Sequence, residues 1–133
     1  MFTANWEGRV RNTFALRLEP GAEVNFEWRD WSASEYFTGP QFRLREGKLL
    51  VGGKVFLDLP LSQWLNFEVT SGLGTADSGK WRLKVTVPGQ EAHEWKDLSY
   101  GSLKFKTLTW IGFSSEANAK TVFYMDDFVI SDY

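Results

Sequence analysis

Alternation with a period of two runs through this chain from end to end, and no window of helical length carries a clean period of 3.6. That restricts the fold to packed sheets. Thr13 to Leu18 sets Phe14, Leu16 and Leu18 against Arg17, and Ala22 to Arg29 sets Val24, Phe26 and Trp28 against Asn25, Glu27 and Arg29. Glu19-Pro20-Gly21 between them has the order of a tight turn, so the two read as a hairpin. After a polar, aromatic-bearing loop from Asp30 to Gly39, Pro40 opens a strand with Phe42 and Leu44 inward and Gln41, Arg43 and Arg45 outward. Glu46-Gly47 and Gly52-Gly53 then separate short strands, Lys48 to Val51 and Lys54 to Leu57, in the manner of a meander.

Further along, Gln63 to Thr70 carries Leu65, Phe67 and Val69 on one face and Trp64, Asn66 and Glu68 on the other. A loop from Gly72 to Gly79 follows. Trp81, Leu83, Val85 and Val87 alternate with Arg82, Lys84 and Thr86, and Pro88-Gly89 turns that strand into a polar, edge-like one from Gln90 to Trp95. Lys104 to Ser114 and Lys120 to Ile130 read as the last two strands. About nine or ten short strands with regular turn signals predict a two-sheet antiparallel jelly-roll sandwich, one domain over residues 1–133.

The bulk numbers agree and exclude several functions. A chain of 133 residues buries roughly 68% of its unfolded surface, so neither metal nor disulfide is required for a core. No Cys is present, which removes disulfides, thiolate catalysis and zinc-thiolate sites. A net charge of −2 with scattered basic residues argues against nucleic acid. Apolar runs fall far short of the ~20 residues that span a bilayer, so no membrane partner is expected. The first residues lack the basic and apolar regions of a secretion signal, which leaves a cytosolic protein or a domain excised from a longer secreted one. Aromatic residues make up 17% of the chain, more than a core of this size needs, so some rings are expected at the surface or packed between two sheets.

Three stretches taken together, Phe14–Ala22 with Glu27–Asp30, Leu59–Val69 with Trp81–Gly89, and Trp110–Ser115 with Val122–Phe128, resemble the concanavalin A-like, laminin G-like jelly rolls of large secreted bacterial proteins that act on polysaccharides. The resemblance spans roughly residues 13 to 132. It implies a non-catalytic carbohydrate-binding module, secreted or extracellular as part of a larger protein, with a structural calcium held by a terminal Asp. Asp126 and Asp127 stand where that ion would be expected. Such domains have further strands before the position of Phe14, so this copy is compact or truncated, or completes its sheets through a homodimer.

Catalysis is not expected. A glycosidase needs two carboxylates facing one another across the sugar, and beside Glu27 the same-face position is Arg29. The lone His93 builds neither a metal site nor a triad. For binding, the outward sets place Glu27, Arg29, Arg43, Arg45, Trp64 and Asn66 as side-by-side contacts across one sheet, against the alternative of cross-strand salt bridges on a solvated surface. The Arg residues would also suit a uronic acid or sulfate. Trp31 and Tyr36 in the loop, beside Asp30 and Glu35, could clamp a glycan chain or fold back over one end of the sandwich. A polysaccharide is thus the expected partner; the alternative is a structural domain whose rings pack on a neighbouring domain or a second copy.

Overall fold

The computed structural model describes residues 2–6, 8–31, 34–73, 79–115 and 121–132, the side chains of residues 2–6 and 132 excepted. Eleven strands form among them: β1 (Phe2–Trp6), β2 (Gly8–Leu18), β3 (Val24–Asp30), β4 (Phe37–Arg45), β5 (Lys48–Val51), β6 (Lys54–Asp58), β7 (Trp64–Leu73), β8 (Lys80–Thr86), β9 (His93–Ser99), β10 (Leu108–Ser115) and β11 (Phe123–Asp132). They make a six-stranded sheet ordered β1-β10-β3-β4-β5-β6 and a five-stranded sheet ordered β11-β2-β7-β8-β9. Every pairing is antiparallel. The fold is an all-β, two-sheet, jelly-roll-like sandwich.

Its core sits where the inward rows meet. Phe14 and Phe67 from the five-stranded sheet interleave with Phe26 and Phe42 from the other, with centroids 5.0 Å apart for Phe14–Phe26 and 5.3 Å for Phe42–Phe67. Tilted and offset ring pairs at this spacing add to the burial itself, about 0.5–1.5 kcal/mol each. Deeper toward one end, the buried Asn12 receives the Trp28 indole N–H at Oδ1 (3.4 Å) and donates from Nδ2 to the Val129 carbonyl (3.0 Å), so this polar group is satisfied inside the sandwich.

Two expectations change. Thr13–Leu18 and Ala22–Arg29 are not a hairpin: β2 and β3 lie in different sheets, and Glu19-Pro20-Gly21 carries the chain across the sandwich. The turn residues bend the chain equally well into an arch, and alternation is indifferent to which neighbour a strand takes. Trp64 and Asn66 therefore do not share a sheet with Glu27, Arg29, Arg43 and Arg45, because β7 belongs to the five-stranded sheet and β3 and β4 to the six-stranded one. The meander of β4, β5 and β6 is as expected, and β9 is an edge strand, running on to Ser99. Before Phe14 the sandwich continues through β1 and the first half of β2.

Candidate functional site

Asn25, Glu27 and Arg29 project from the outer face of β3, the opposite parity to the buried Val24, Phe26, Trp28 and Asp30. On one side Trp110 of β10 pairs with Arg29 and Gly112 with Glu27; on the other, Thr38 of β4 pairs with Arg29 and Gln41 with Glu27. The last two pairs show that β4 uses three residues where β3 uses two. This bulge falls at Gly39-Pro40, where a proline without an N–H is tolerated, and it brings the Thr38 hydroxyl onto the face.

The group these strands assemble is compact. The Arg29 guanidinium lies 4.1 Å from the Tyr36 ring centroid and 4.1 Å from the Trp110 centroid, so it is held between two rings. Its Nε donates to Glu27 Oε1 at 2.7 Å and its Nη2 donates to the same oxygen, while Thr38 Oγ1 donates to Glu27 Oε2 at 3.3 Å. Glu27 is left only 6% exposed beneath these contacts, although it stands on the outer face. Trp31 packs on Tyr36 with centroids 4.7 Å apart, and the two remain 45% and 40% exposed.

Backbone anchors fix the platform. The Trp31 N–H donates to Thr109 Oγ1 (2.8 Å), whose hydroxyl donates to the Arg29 carbonyl (3.1 Å). Asp30, expected beside a bound glycan, is instead buried, and its Oδ2 accepts the N–H groups of Lys106 and Thr107 at 3.0 and 3.1 Å. It points to the opposite side of β3 from Glu27, so the two acids do not face a common substrate. Trp110 lies over Gly112: a Cβ at that glycine would come within 1.9 Å of its six-membered ring. Of the loop expected to clamp a ligand, Trp31 and Tyr36 join the platform, Glu35 is exposed, and Ser32 and Ala33 lie outside the described residues.

Farther along the same face, Gln41 Nε2 donates to Asn25 Oδ1 at 3.2 Å, and Arg43 and Arg45 border a shallow groove of about 370 Å³ with Leu50, Gly52 and Gly53. Arg45 Nε is 3.8 Å from Glu23 Oε1. The structure thus brings together Glu27, Arg29, Trp31 and Tyr36, places Arg43 and Arg45 beyond them on the same surface, and puts Trp64 and Asn66 on the opposite side. Trp110 and Thr38 are site residues that sequence reasoning missed; an outward Trp two places before a glycine was the signal available for the first.

Asp126 and Asp127 stand exposed at a bulge of β11, Asp127 with φ 54°, and Asp126 Oδ1 accepts the Asp127 N–H at 2.8 Å. Calcium requires six to eight oxygens, and among the described residues no third His, Cys, Asp or Glu joins these two. His93 Nε2 lies 3.1 Å from Gln90 Oε1 on the surface.

Fold and face together define a two-sheet antiparallel sandwich that carries an aromatic and guanidinium platform on its six-stranded sheet. The crystal structure of chicken galectin 2 is similar to it over 95% of this chain and 96% of that one, with a TM-score of 0.50 and 12% sequence identity. A second crystal structure, of the ancestral congerin Con-anc, matches with a TM-score of 0.48 and 10% identity over 96% of this chain and 95% of that one. At that identity the likeness to chicken galectin 2 shows the fold alone, so of the expected concanavalin A-like assignment only the coarser two-sheet, jelly-roll-like sandwich is established. No family model matches the sequence, and no curated protein matches it.

Proposed function

We propose that this domain is a non-catalytic carbohydrate-binding module whose six-stranded sheet presents the binding surface. The observation that carries the reading is the sandwich of Arg29 between Tyr36 and Trp110, with Trp31 packed on Tyr36 and half open to solvent. Ring faces held rigid by a guanidinium accept the C–H faces of a sugar, and the neighbouring Gln41 and Asn25 amides offer both donors and acceptors for hydroxyls.

Charge narrows the ligand. Glu27 offsets Arg29 and Glu23 stands beside Arg45, so the face holds its cations largely in pairs, which favours a neutral polysaccharide over a uronic acid or sulfate. Glu27, tied up by Arg29 and Thr38, positions the platform and has no part in bond breaking. An extracellular setting within a larger protein belongs to the same proposal. Affinity electrophoresis through gels containing neutral or acidic polysaccharides tests it: retardation in a neutral gel, reduced in Trp31→Ala, is the expected result. Migration unchanged in every gel refutes it.

The exposed Tyr124, Met125 and Val129 of the edge strand β11 favour a second reading, a domain that packs on a neighbour or a second copy. A dimer in solution together with no glycan response would select it.

A further inference from the structure

We infer that the outer face of the five-stranded sheet holds a second, separate binding site, built for one pyranose unit of a neutral glycan. Three cross-strand rows define it. Tyr124, Arg17 and Trp64 pair across β11, β2 and β7; the next outward row is Asp126, Ala15, Asn66 and Thr86; the third contains Val129, Thr13, Glu68 and Lys84. Ala15 is the smallest side chain in these rows. It is only 5% exposed although it faces outward, so its neighbours rise around it as walls.

Between the second and third rows lies a depression of about 220 Å³, lined by Phe14 and Phe67 together with Thr13, Asn66, Glu68, Lys84, Thr86 and Asp127. The bulge between Asp126 and Val129 and the left-handed backbone of Asp127 bring that residue to its edge. Amide, hydroxyl, ammonium and carboxylate groups therefore converge on one small volume. Glu68 is engaged, 3.6 Å from Arg11 Nε, whereas the side chains of Asn66, Thr86 and Thr13 and the Lys84 ammonium have no hydrogen-bond or ion-pair partner among the described residues. A close set of unused donors and acceptors beside two aromatic residues is the complement of a sugar's vicinal hydroxyls and C–H face.

One row along the strands, about 7 Å away, stand Trp64 and Tyr124, 41% and 49% exposed on either side of Arg17. The Arg17 side chain is fixed by its Nε–H bond to Glu19 Oε1 (2.8 Å), and Glu19 in turn accepts from Ser62 Oγ (2.6 Å), two residues before Trp64. An aromatic shelf beside a polar depression provides a stacking surface and an orienting set together. With the platform on the opposite sheet, the domain would hold two glycan segments at once, one on each face.

Titration of the ¹⁵N-labelled chain with cellohexaose, mannohexaose and a β-1,4-galactohexaose, followed by NMR, tests this site apart from the first. The expected result is that one of these moves the Trp64 indole N–H and the Asn66 and Thr86 amides, and still does so in Trp110→Ala. Asn66→Ala, and separately Lys84→Ala on the neighbouring strand, should weaken that response about tenfold while leaving any response at Trp110 intact. No movement at Trp64, Asn66 and Thr86 with any of the three at about 10 mM overturns the second site, whether or not Trp110 responds. So does an unchanged response in both variants. A response at Trp64 without one at Trp110 keeps this site and removes the platform as a glycan surface.

Discussion

Trp110 lies across Gly112, two places along the same strand, and from there offers its ring to the Arg29 guanidinium 4.1 Å away. The glycine is what lets the indole lie flat on the sheet, and the flat indole is what gives Arg29 its second ring.

Gly112→Ala tests that dependence. The added Cβ would meet the far end of the Trp110 ring, which can swing away, so the stability cost is small, about 1 kcal/mol. Binding should suffer far more than folding, because the swung ring no longer caps Arg29. Urea unfolding and glycan affinity measured on the same variant should separate: a nearly unchanged midpoint with a marked loss of affinity is expected.

Arg29 holds a nearly buried carboxylate, so its removal acts through Glu27. Arg29→Met should destabilise the domain by on the order of 3 kcal/mol, since the nearly buried Glu27 carboxyl would be left with only the Thr38 hydroxyl as partner. The double change Glu27→Gln with Arg29→Met should regain part of that loss. Equal losses in the single and double variants, read by urea denaturation, would show that Glu27 does not feel Arg29.

From Phe14 onward, facing was legible in the sequence, as were the neighbours within the β4-β5-β6 meander; the first strand and the pairings across arches were not. Alternation placed Phe26, Trp28, Leu65 and Val85 inside and Arg29, Arg43, Trp64 and Lys84 outside, because each of those parities is written into one continuous segment. Which segments share a sheet is decided by how arches such as Glu19-Pro20-Gly21 cross the sandwich, and that depends on contacts far apart in the chain. Hence the expected single surface divides into two, with Trp64 and Asn66 on one and Glu27 and Arg29 on the other. Trp110 was passed over for the same reason: its partners Arg29 and Tyr36 lie more than seventy residues earlier.

Gly39 tests the bulge and the loop packed behind it. A Cβ there would fall 2.7 Å from three atoms of the fully buried Phe105 ring, which has no room to retreat. Gly39→Ala should cost roughly 1–3 kcal/mol, read as a lower urea midpoint, in contrast to the small cost at Gly112.

Glu19 supplies the acid-side pH dependence. The Ser62 hydroxyl bond is the largest influence and holds its carboxyl below the ordinary 4.5; desolvation opposes this, and Arg17 adds to the lowering. A folded pKa below the unfolded one means stability that is present above the ordinary carboxylate range and lost as pH falls through the folded value. Glu19→Gln should therefore be less stable than the parent near neutrality, and the gap should close on acidification. A gap independent of pH, measured by urea unfolding across an acid series, would remove the charge from the explanation.

The most direct measurement is calorimetric titration of neutral oligosaccharides into the intact domain and into Tyr36→Ala and Trp110→Ala. At least one sugar should bind the parent, and each variant should lose about tenfold or more in affinity at the platform while remaining folded, any binding at the five-stranded sheet being unchanged. Binding that both variants retain in full would contradict a platform built on Arg29 and its two rings, and so would the absence of any binding to the parent.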